Sequence, residues 1–172
     1  FKSNKARYAR IKSPVEQVVG AIRLAGSYRY PTLGIEKIAK QAFYMGQGLL
    51  MPPTVEGWHE GIEWIDSGAL MERVNFAANE LANPSNPGVC EITQRLSSQN
   101  GGSLKPDELV NGCLRLMGEI EVDENTRTAL IGYIDARGEV DFTDRRESGD
   151  DLGQCIGEVL GLIASTREYQ LA

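Results

Sequence analysis

The stretch Gly46–Asn79, GQGLLMPPTVEGWHEGIEWIDSGALMERVNFAAN, is the one segment that ordinary helical periodicity does not explain. It contains both tryptophans, Trp58 and Trp64, the only histidine, His59, and five glycines. Pro52-Pro53 forbids a helix through that point and holds the preceding residue extended. We therefore expect a rigid loop of glycine, proline and indole that lies between two helices and organises them by packing.

Helices on either side of this loop are predicted from their ends. Ser13-Pro14-Val15-Glu16 predicts a helix start, because the serine can cap, the proline suits the first helical position and the glutamate can close a capping box. That helix is predicted to end near Gly26, the second to stop at Gly46 and the third to begin near Ser67. Apolar residues recur at helical spacing in all three. The predicted buried faces are Val15, Val18, Val19 and Ile22, then Ile35, Ile38, Ala39 and Ala42, then Leu70, Val74, Ala77, Ala78 and Leu81.

Beyond the third helix, residues 83–88 (NPSNPG) are predicted to be a linker. Four more helices are predicted after it: one at about residues 89–98, one starting at Pro106, one capped by Asp123, and a last one at the end of the chain. Their predicted buried residues are Leu109, Cys113, Leu116, Met117, Leu130, Ile134, Leu152, Ile156, Val159, Leu160 and Ile163. The polar segment 138–151 is predicted to be a solvated loop.

No run of β-branched residues alternates with period two, so little or no sheet is expected. The predicted fold is all-α, an irregular multi-helix domain with the Gly/Pro/Trp-rich loop packed on its helices. Residues 1–83 are predicted to form the helical part that carries the loop. Residues 84–172 are predicted to form a C-terminal helical part, packed with the first as one unit.

Composition and charge exclude some functions. The 172 residues carry a net charge of −6, which argues against non-specific binding to nucleic acid, and no apolar run is long enough for a membrane span. Residues 1–30 hold seven basic residues and one acidic, whereas the remainder holds 11 basic and 23 acidic. Packing of this basic end on acidic surface is favoured over a patch for an anionic partner. The opening Phe1-Lys2-Ser3 has no initiator Met, so we expect a fragment of a longer protein.

Three cysteines, Cys90, Cys113 and Cys155, make an odd count without CxxC spacing, which is neither a zinc site nor a full disulfide framework. Cys113 and Cys155 fall on apolar helical faces and are predicted to be buried free thiols. One disulfide stays open as an alternative in an exported protein.

The central block resembles a recurring signature. Pro52-Pro53-Thr54-Val55-Glu56-Gly57-Trp58, Gly61, Trp64-Ile65, Leu70, Arg73 and Asn75-Phe76-Ala77 are similar to the "GQ-L-PP-V-GW-G-W-(I/L)-…-R-NF" block of the bacterial family called domain of unknown function 1800. Residues 12–16, 23–24, 45–47 and 164–170 agree as well, although Thr166-Arg167 stands where family members usually have a lone proline. The segment 83–151 carries no recognisable signature.

This resemblance implies the C-terminal portion of a large, mainly helical and often exported bacterial protein. Its localisation would then be periplasmic or at the cell surface. Such proteins are frequently encoded beside a second exported family of sulfatase-like character. No reaction is established for the family, so the resemblance implies no chemistry and leaves open whether the protein is an enzyme.

The candidate ligand-binding residues are Trp58, His59, Glu63, Trp64, Arg73 and Asn75. The two tryptophans could form a stacking platform for a sugar ring, but anchoring the loop on the helices is favoured. Arg73 could clamp an anionic group, but tying the loop down through Glu63, Asp66 or backbone carbonyls is favoured.

His59 is the only ordinary acid–base candidate near neutral pH. His59 and Glu63 would share a face only on a helix, and Gly57 and Gly61 argue against one there. A catalytic zinc takes about three protein ligands and no second histidine exists, so we predict no metal and no cofactor. The acidic segment 135–147 fails EF-hand spacing.

Two hypotheses follow from the sequence. The first is a non-enzymatic helical module with a structural or accessory role toward a protein partner, which predicts that Trp58 and Trp64 are largely buried. The second is a protein that binds or processes a polysaccharide, in particular an acidic one, at a cleft lined by the candidate residues.

Overall fold

The computed structural model describes residues 8–31, 33–99, 105–137 and 148–171. The described helices are α1 Pro14–Ala25, α2 Glu36–Tyr44, α3 Ser67–Ala82, α4 Pro87–Gln99, α5 Pro106–Leu116, α6 Glu124–Arg137 and α7 Ser148–Ala164. Two short 3-10 turns lie at Gly61–Trp64 and Glu168–Gln170. This part of the chain contains isolated bridges but no strand, so the predicted all-α fold is confirmed.

Local sequence signals set most helix ends. The capping box at the start of α1 is present in both directions between Ser13 and Glu16, and Gly26 ends the helix with a φ of +70°. Asp123 caps α6 by accepting a 2.7 Å hydrogen bond from the Thr126 N–H. The start of α7 at Ser148 lies inside the segment predicted to be a solvated loop, which therefore ends earlier than predicted.

Helix α7 lies at the centre of the main core. It packs most extensively on α3 and also contacts α4, α5 and α6. Its predicted apolar residues are all buried: Leu152, Ile156, Val159, Leu160 and Ile163. The same core cluster includes Ala21 and Leu81 from before the predicted linker and Val89 from after it.

Two glycines allow the helices to approach this closely. A Cβ at Gly88 would overlap the Leu24 carbonyl oxygen, so α4 begins in direct backbone contact with the end of α1. A Cβ at Gly157 would lie 2.6 Å from the Ala82 carbonyl oxygen, which places α7 against the end of α3. Both positions therefore require the absence of a side chain, because a methyl group would push the helix axes apart.

The predicted buried faces of α1, α2 and α3 were partly wrong. In α1, Val19 is exposed, whereas Gln17, Ala21 and Ala25 are buried. In α2, Ile35 and Ala39 are exposed and Ala42 is buried. In α3, Leu70 is exposed and Arg73 is fully buried. Close helix contacts select small side chains such as alanine, which a search for large apolar residues undervalues.

Residues 46–66, which we call the aromatic loop, do not organise the neighbouring helices by packing, contrary to the prediction. Leu50, Met51, Val55 and Ile62 are exposed, and of the whole loop only Trp64 is buried. Neither buried apolar cluster includes Trp64. The loop is fixed to the helices by Trp64 and by Gln47, whose Oε1 accepts a 3.0 Å hydrogen bond from the Val15 N–H of α1, and the packing around α7 organises the domain.

Candidate functional site

The aromatic loop ends in a short turn and a helix cap. Asp66 Oδ1 accepts a 2.8 Å hydrogen bond from the Ala69 N–H, which fixes the start of α3. The turn Gly61–Trp64 immediately before it directs the Trp64 indole inward, where 5% of the residue stays exposed. A Cβ at Gly46 would lie 3.9 Å from this ring. Trp64 therefore anchors the loop, and its predicted burial is confirmed.

Trp58 has a different environment. It is half-buried, and its Nε1–H donates a 3.0 Å hydrogen bond to the Gly48 carbonyl oxygen. This bond joins two distant parts of the aromatic loop and holds the indole in one orientation. Trp58 is thus less completely buried than Trp64, and its ring forms part of a surface wall.

A cleft of about 850 Å³, which we call the aromatic cleft, separates the aromatic loop from the N-terminal segment. Residues 9–11 and Ser13 line one side, and Gln47, residues 56–62 and Trp64 line the other. Both indoles contribute to the wall, Trp58 with more exposed surface than Trp64. Of the predicted site residues, the cleft brings together Trp58, His59 and Trp64.

His59 and Glu63 form a pair at the mouth of this cleft. His59 Nδ1 lies 2.9 Å from Glu63 Oε2, and both side chains are exposed. We predicted that the two would share a face only on a helix; Glu63 lies in the 3-10 turn, whereas His59 precedes it. The extended residues before the 3-10 turn bring them together instead. The His59 ring also lies edge-on to Trp64, with a distance of 6.5 Å between ring centroids. This arrangement orients the imidazole at the surface.

Arg10, on the opposite side of the cleft, is committed to Glu16. Its Nη1 and Nη2 each donate a 2.7 Å hydrogen bond to one oxygen of the Glu16 carboxylate. The Arg10 hydrogen bond is the main reason that the pKa of Glu16 is lowered to about 2. The same pairing raises the pKa of Arg10. The guanidinium is therefore part of a neutral pair rather than a free anion-binding group.

Arg73 lies elsewhere, in the interior. Its Nε donates a 3.0 Å hydrogen bond to Gln170 Oε1, and its Nη2 donates a 2.8 Å hydrogen bond to the Lys12 carbonyl oxygen. Full burial lowers the pKa of Arg73 to about 10. Its backbone carbonyl partner belongs to Lys12, which lies outside the aromatic loop. The predicted role was wrong, because Arg73 ties the two ends of the described chain together and not the loop to α3.

Lys12, Arg73, Tyr169 and Gln170 form a terminal clasp. The Lys12 ammonium donates a 2.6 Å hydrogen bond to the Tyr169 carbonyl oxygen and lies 4.5 Å from the centre of the Tyr169 ring. Burial, followed by the nearby Arg73 charge, lowers the pKa of Lys12, and burial raises the pKa of Tyr169 to about 12. This cluster was not predicted from the sequence. Its only signal was the agreement with the family pattern at both ends of the chain.

Asn75 belongs to a second, smaller cleft of about 390 Å³ between α2 and α3. Tyr28, Lys37, Glu72 and Asn79 are among its lining residues. The structure therefore distributes the predicted site residues over three places: the aromatic cleft and its mouth, the terminal clasp, and this second cleft.

The cysteines behave as predicted. Cys113 and Cys155 are buried free thiols, and burial raises the pKa of Cys113 to about 12 and also raises that of Cys155. Cys90 is free and exposed. Within the described residues, no group of three or more His, Cys, Asp or Glu side chains could hold a metal ion. Most of the acidic segment 135–147 lies outside those residues.

The fold and the site define the chain as an all-α module whose tryptophan-bearing loop forms one wall of a surface cleft. The family described as "Protein of unknown function (DUF1800)" matches residues 1–171, and the chain belongs to this family. The resemblance inferred from the central block is thereby confirmed. No curated protein and no solved structure matches the chain. Among the described helices, none has the length and apolar character needed to cross a membrane.

Proposed function

We propose that the chain is a non-enzymatic helical module with a structural or accessory role in an exported bacterial protein. The observation that carries this proposal is the burial of Arg73 and Trp64, two of the predicted ligand-binding side chains. The Arg73 guanidinium holds the chain ends, and the Trp64 indole holds the aromatic loop. The family resemblance supports export, because related proteins are often exported.

Complementation of a deletion strain with the full-length protein tests this role. We expect the double variant His59→Ala/Glu63→Gln to restore the phenotype at normal protein level, because both side chains are exposed and pair with each other. Arg73→Ala should lower the protein level and fail to restore the phenotype. Loss of function in the double variant at normal protein level would overturn the proposal. Recovery of the full-length protein only from the cytoplasm would overturn export.

The second candidate function is polysaccharide binding at the aromatic cleft. The specific observation in its favour is that a half-buried indole, Trp58, lines an open cleft of about 850 Å³. This volume lies within the range of about 300–1,000 Å³ that is usual for ligand sites. A tryptophan fluorescence titration against neutral, acidic and sulfated polysaccharides tests it. A saturable shift that Trp58→Leu removes would support the candidate, and no response to any of the three classes would exclude it.

A further inference from the structure

The charges around the aromatic cleft are mainly negative. Arg10 is the one Lys or Arg among the described lining residues, and Glu16 neutralises it through two hydrogen bonds. Glu56 and Glu60 also line the cleft, and both are exposed. Neither forms an ion pair with another described residue. Among the described residues, the cleft therefore presents two carboxylates, Glu56 and Glu60, that no cationic side chain pairs with.

The Trp58 ring in the cleft wall sets a second requirement for the chemistry of a ligand. The Trp58 Nε1–H is already used by the Gly48 carbonyl oxygen, so this indole offers its ring rather than a donor. A flat apolar ring suits the C–H face of a sugar, and its quadrupole attracts a cation that approaches the ring face. A ligand that matches the whole cleft combines a sugar ring with positive charge.

We propose that the aromatic cleft binds a glycan segment that carries protonated amino groups. Trp58 stacks on a sugar ring, and Glu56 and Glu60 accept hydrogen bonds from the ammonium groups of that ring or its neighbours. An acidic glycan meets like charge from the same two carboxylates, which costs affinity. This inference rests on the polysaccharide-binding candidate and names its substrate class.

Calorimetric titration with three tetrasaccharides of similar size tests the proposal. The probes are a glucosamine tetramer, an N-acetylglucosamine tetramer and a galacturonic acid tetramer, at about pH 6 so that amines are protonated and carboxylates ionised. Each solvent-exposed carboxylate that pairs with an ammonium group is worth about threefold in affinity. We therefore expect the amine to bind about tenfold more tightly than the acetylated form, and the uronate more weakly than both. Added salt should reduce this preference.

Two variants identify the cleft as the source of the preference. Glu56→Gln/Glu60→Gln should weaken binding of the amine about tenfold and leave binding of the acetylated tetramer unchanged. Glu72→Gln is the matched control, since it removes an exposed carboxylate on α3 outside this cleft and should change neither affinity. Trp58→Leu should weaken both ligands by a similar factor, with circular dichroism to show that the helices persist.

The possible outcomes distinguish a failure of glycan binding from a failure of the preference for protonated amino groups. If none of the three tetramers binds, polysaccharide binding at the cleft fails and this inference fails with it. If the acetylated or acidic tetramer binds as tightly as the amine, glycan binding stands and the inference is overturned. An amine affinity that Glu56→Gln/Glu60→Gln leaves unchanged also overturns it.

Discussion

The aromatic loop and helix α7 are built in opposite ways. The loop carries the most distinctive sequence of the chain, yet Leu50 is 94% exposed and Val55 is fully exposed. Helix α7 carries no distinctive motif, only apolar residues at helical spacing, yet its apolar face is buried along its length. Distinctive composition and structural importance are therefore separated in this molecule. The helical spacing of apolar residues in α7 forms the core, and the aromatic loop shapes one wall of the surface cleft.

Among the family-motif residues, the buried Arg73 belongs with the core and not with the aromatic loop. Arg73 lies in the family motif, but its contacts are with Lys12 and Gln170 and not with the loop. The motif thus includes loop residues that shape the cleft, such as Trp58, and an α3 residue, Arg73, that closes the terminal clasp. The effects of substitutions should follow this division rather than position within the motif.

The largest effect is expected from Arg73→Ala. The change leaves the Lys12 carbonyl and the Gln170 amide without their charged partner and opens a cavity in the interior. We expect a loss of about 3–5 kcal/mol in the free energy of unfolding, measured with urea. Arg95→Ala on the exposed side of α4 is the control and should stay within about 0.5 kcal/mol. A loss below about 1 kcal/mol for Arg73→Ala would show that the terminal clasp does not stabilise the fold.

Gly88→Ala tests the close packing between α1 and α4 in the core. The added methyl group would overlap the Leu24 carbonyl oxygen and lie 2.8 Å from the Ala25 carbonyl carbon, so α1 and α4 must separate. The expected loss is about 2–3 kcal/mol. Gly132→Ala on α6 meets no atom within 4 Å and should instead raise stability by about 0.5–1 kcal/mol, because alanine favours a helix interior. Thermal unfolding of the two variants compares them, and equal shifts would contradict the packing argument.

Trp64→Ala tests how strongly the loop is coupled to the core. A buried tryptophan usually costs about 3–5 kcal/mol when truncated to alanine. Here we expect only about 1–2 kcal/mol in global stability, because the loop can detach without opening the core cluster. Hydrogen exchange should show faster exchange at residues 46–66 and unchanged protection in α7. A full loss of about 4 kcal/mol, with exchange accelerated throughout, would restore the loop as an organising element.

Local signals predicted a large part of this fold. The caps at Ser13, Gly26 and Asp123 depend on residues within about one helical turn, and the structure places each as predicted. The apolar face of α7 was equally predictable, because five large apolar residues recur on it at helical spacing. The all-α class follows from such signals alone.

What the sequence could not reveal depends on contacts between distant residues. Arg73 and Gln170 are 97 residues apart, and no local spacing indicates that they meet. Periodicity selected Leu70 for the buried face of α3 and overlooked Arg73, because it counts apolar residues and ignores partners from other elements. The aromatic cleft also depends on distant residues. Its two sides come from residues 9–13 and from the aromatic loop, so no local sequence pattern predicts its shape.

The smallest expected effect concerns Glu16, which links α1 to the cleft wall. Its folded pKa of about 2 is below the unfolded value of 4.5, so the unfolded state binds more protons between these pH values. The stabilisation is therefore complete above about pH 5 and is lost as the pH falls toward about 2. Since the carboxylate is partly exposed, solvent screening limits the loss in Glu16→Gln to about 1 kcal/mol at pH 7.

The pH dependence of the difference between wild type and Glu16→Gln isolates this carboxylate, because the other titrating groups are common to both proteins. The difference in free energy of unfolding should shrink steadily on acidification and vanish near pH 2. Glu108→Gln is the control, since Glu108 makes the corresponding contact at the start of α5, where its Oε2 accepts a 3.3 Å hydrogen bond from the Lys105 N–H, and the lysine side chain cannot complete a capping box. It should cost less at pH 7. A Glu16→Gln difference that stays constant from pH 7 to about 2 would mean that the Arg10 pair contributes nothing and that the cap alone fixes the start of α1.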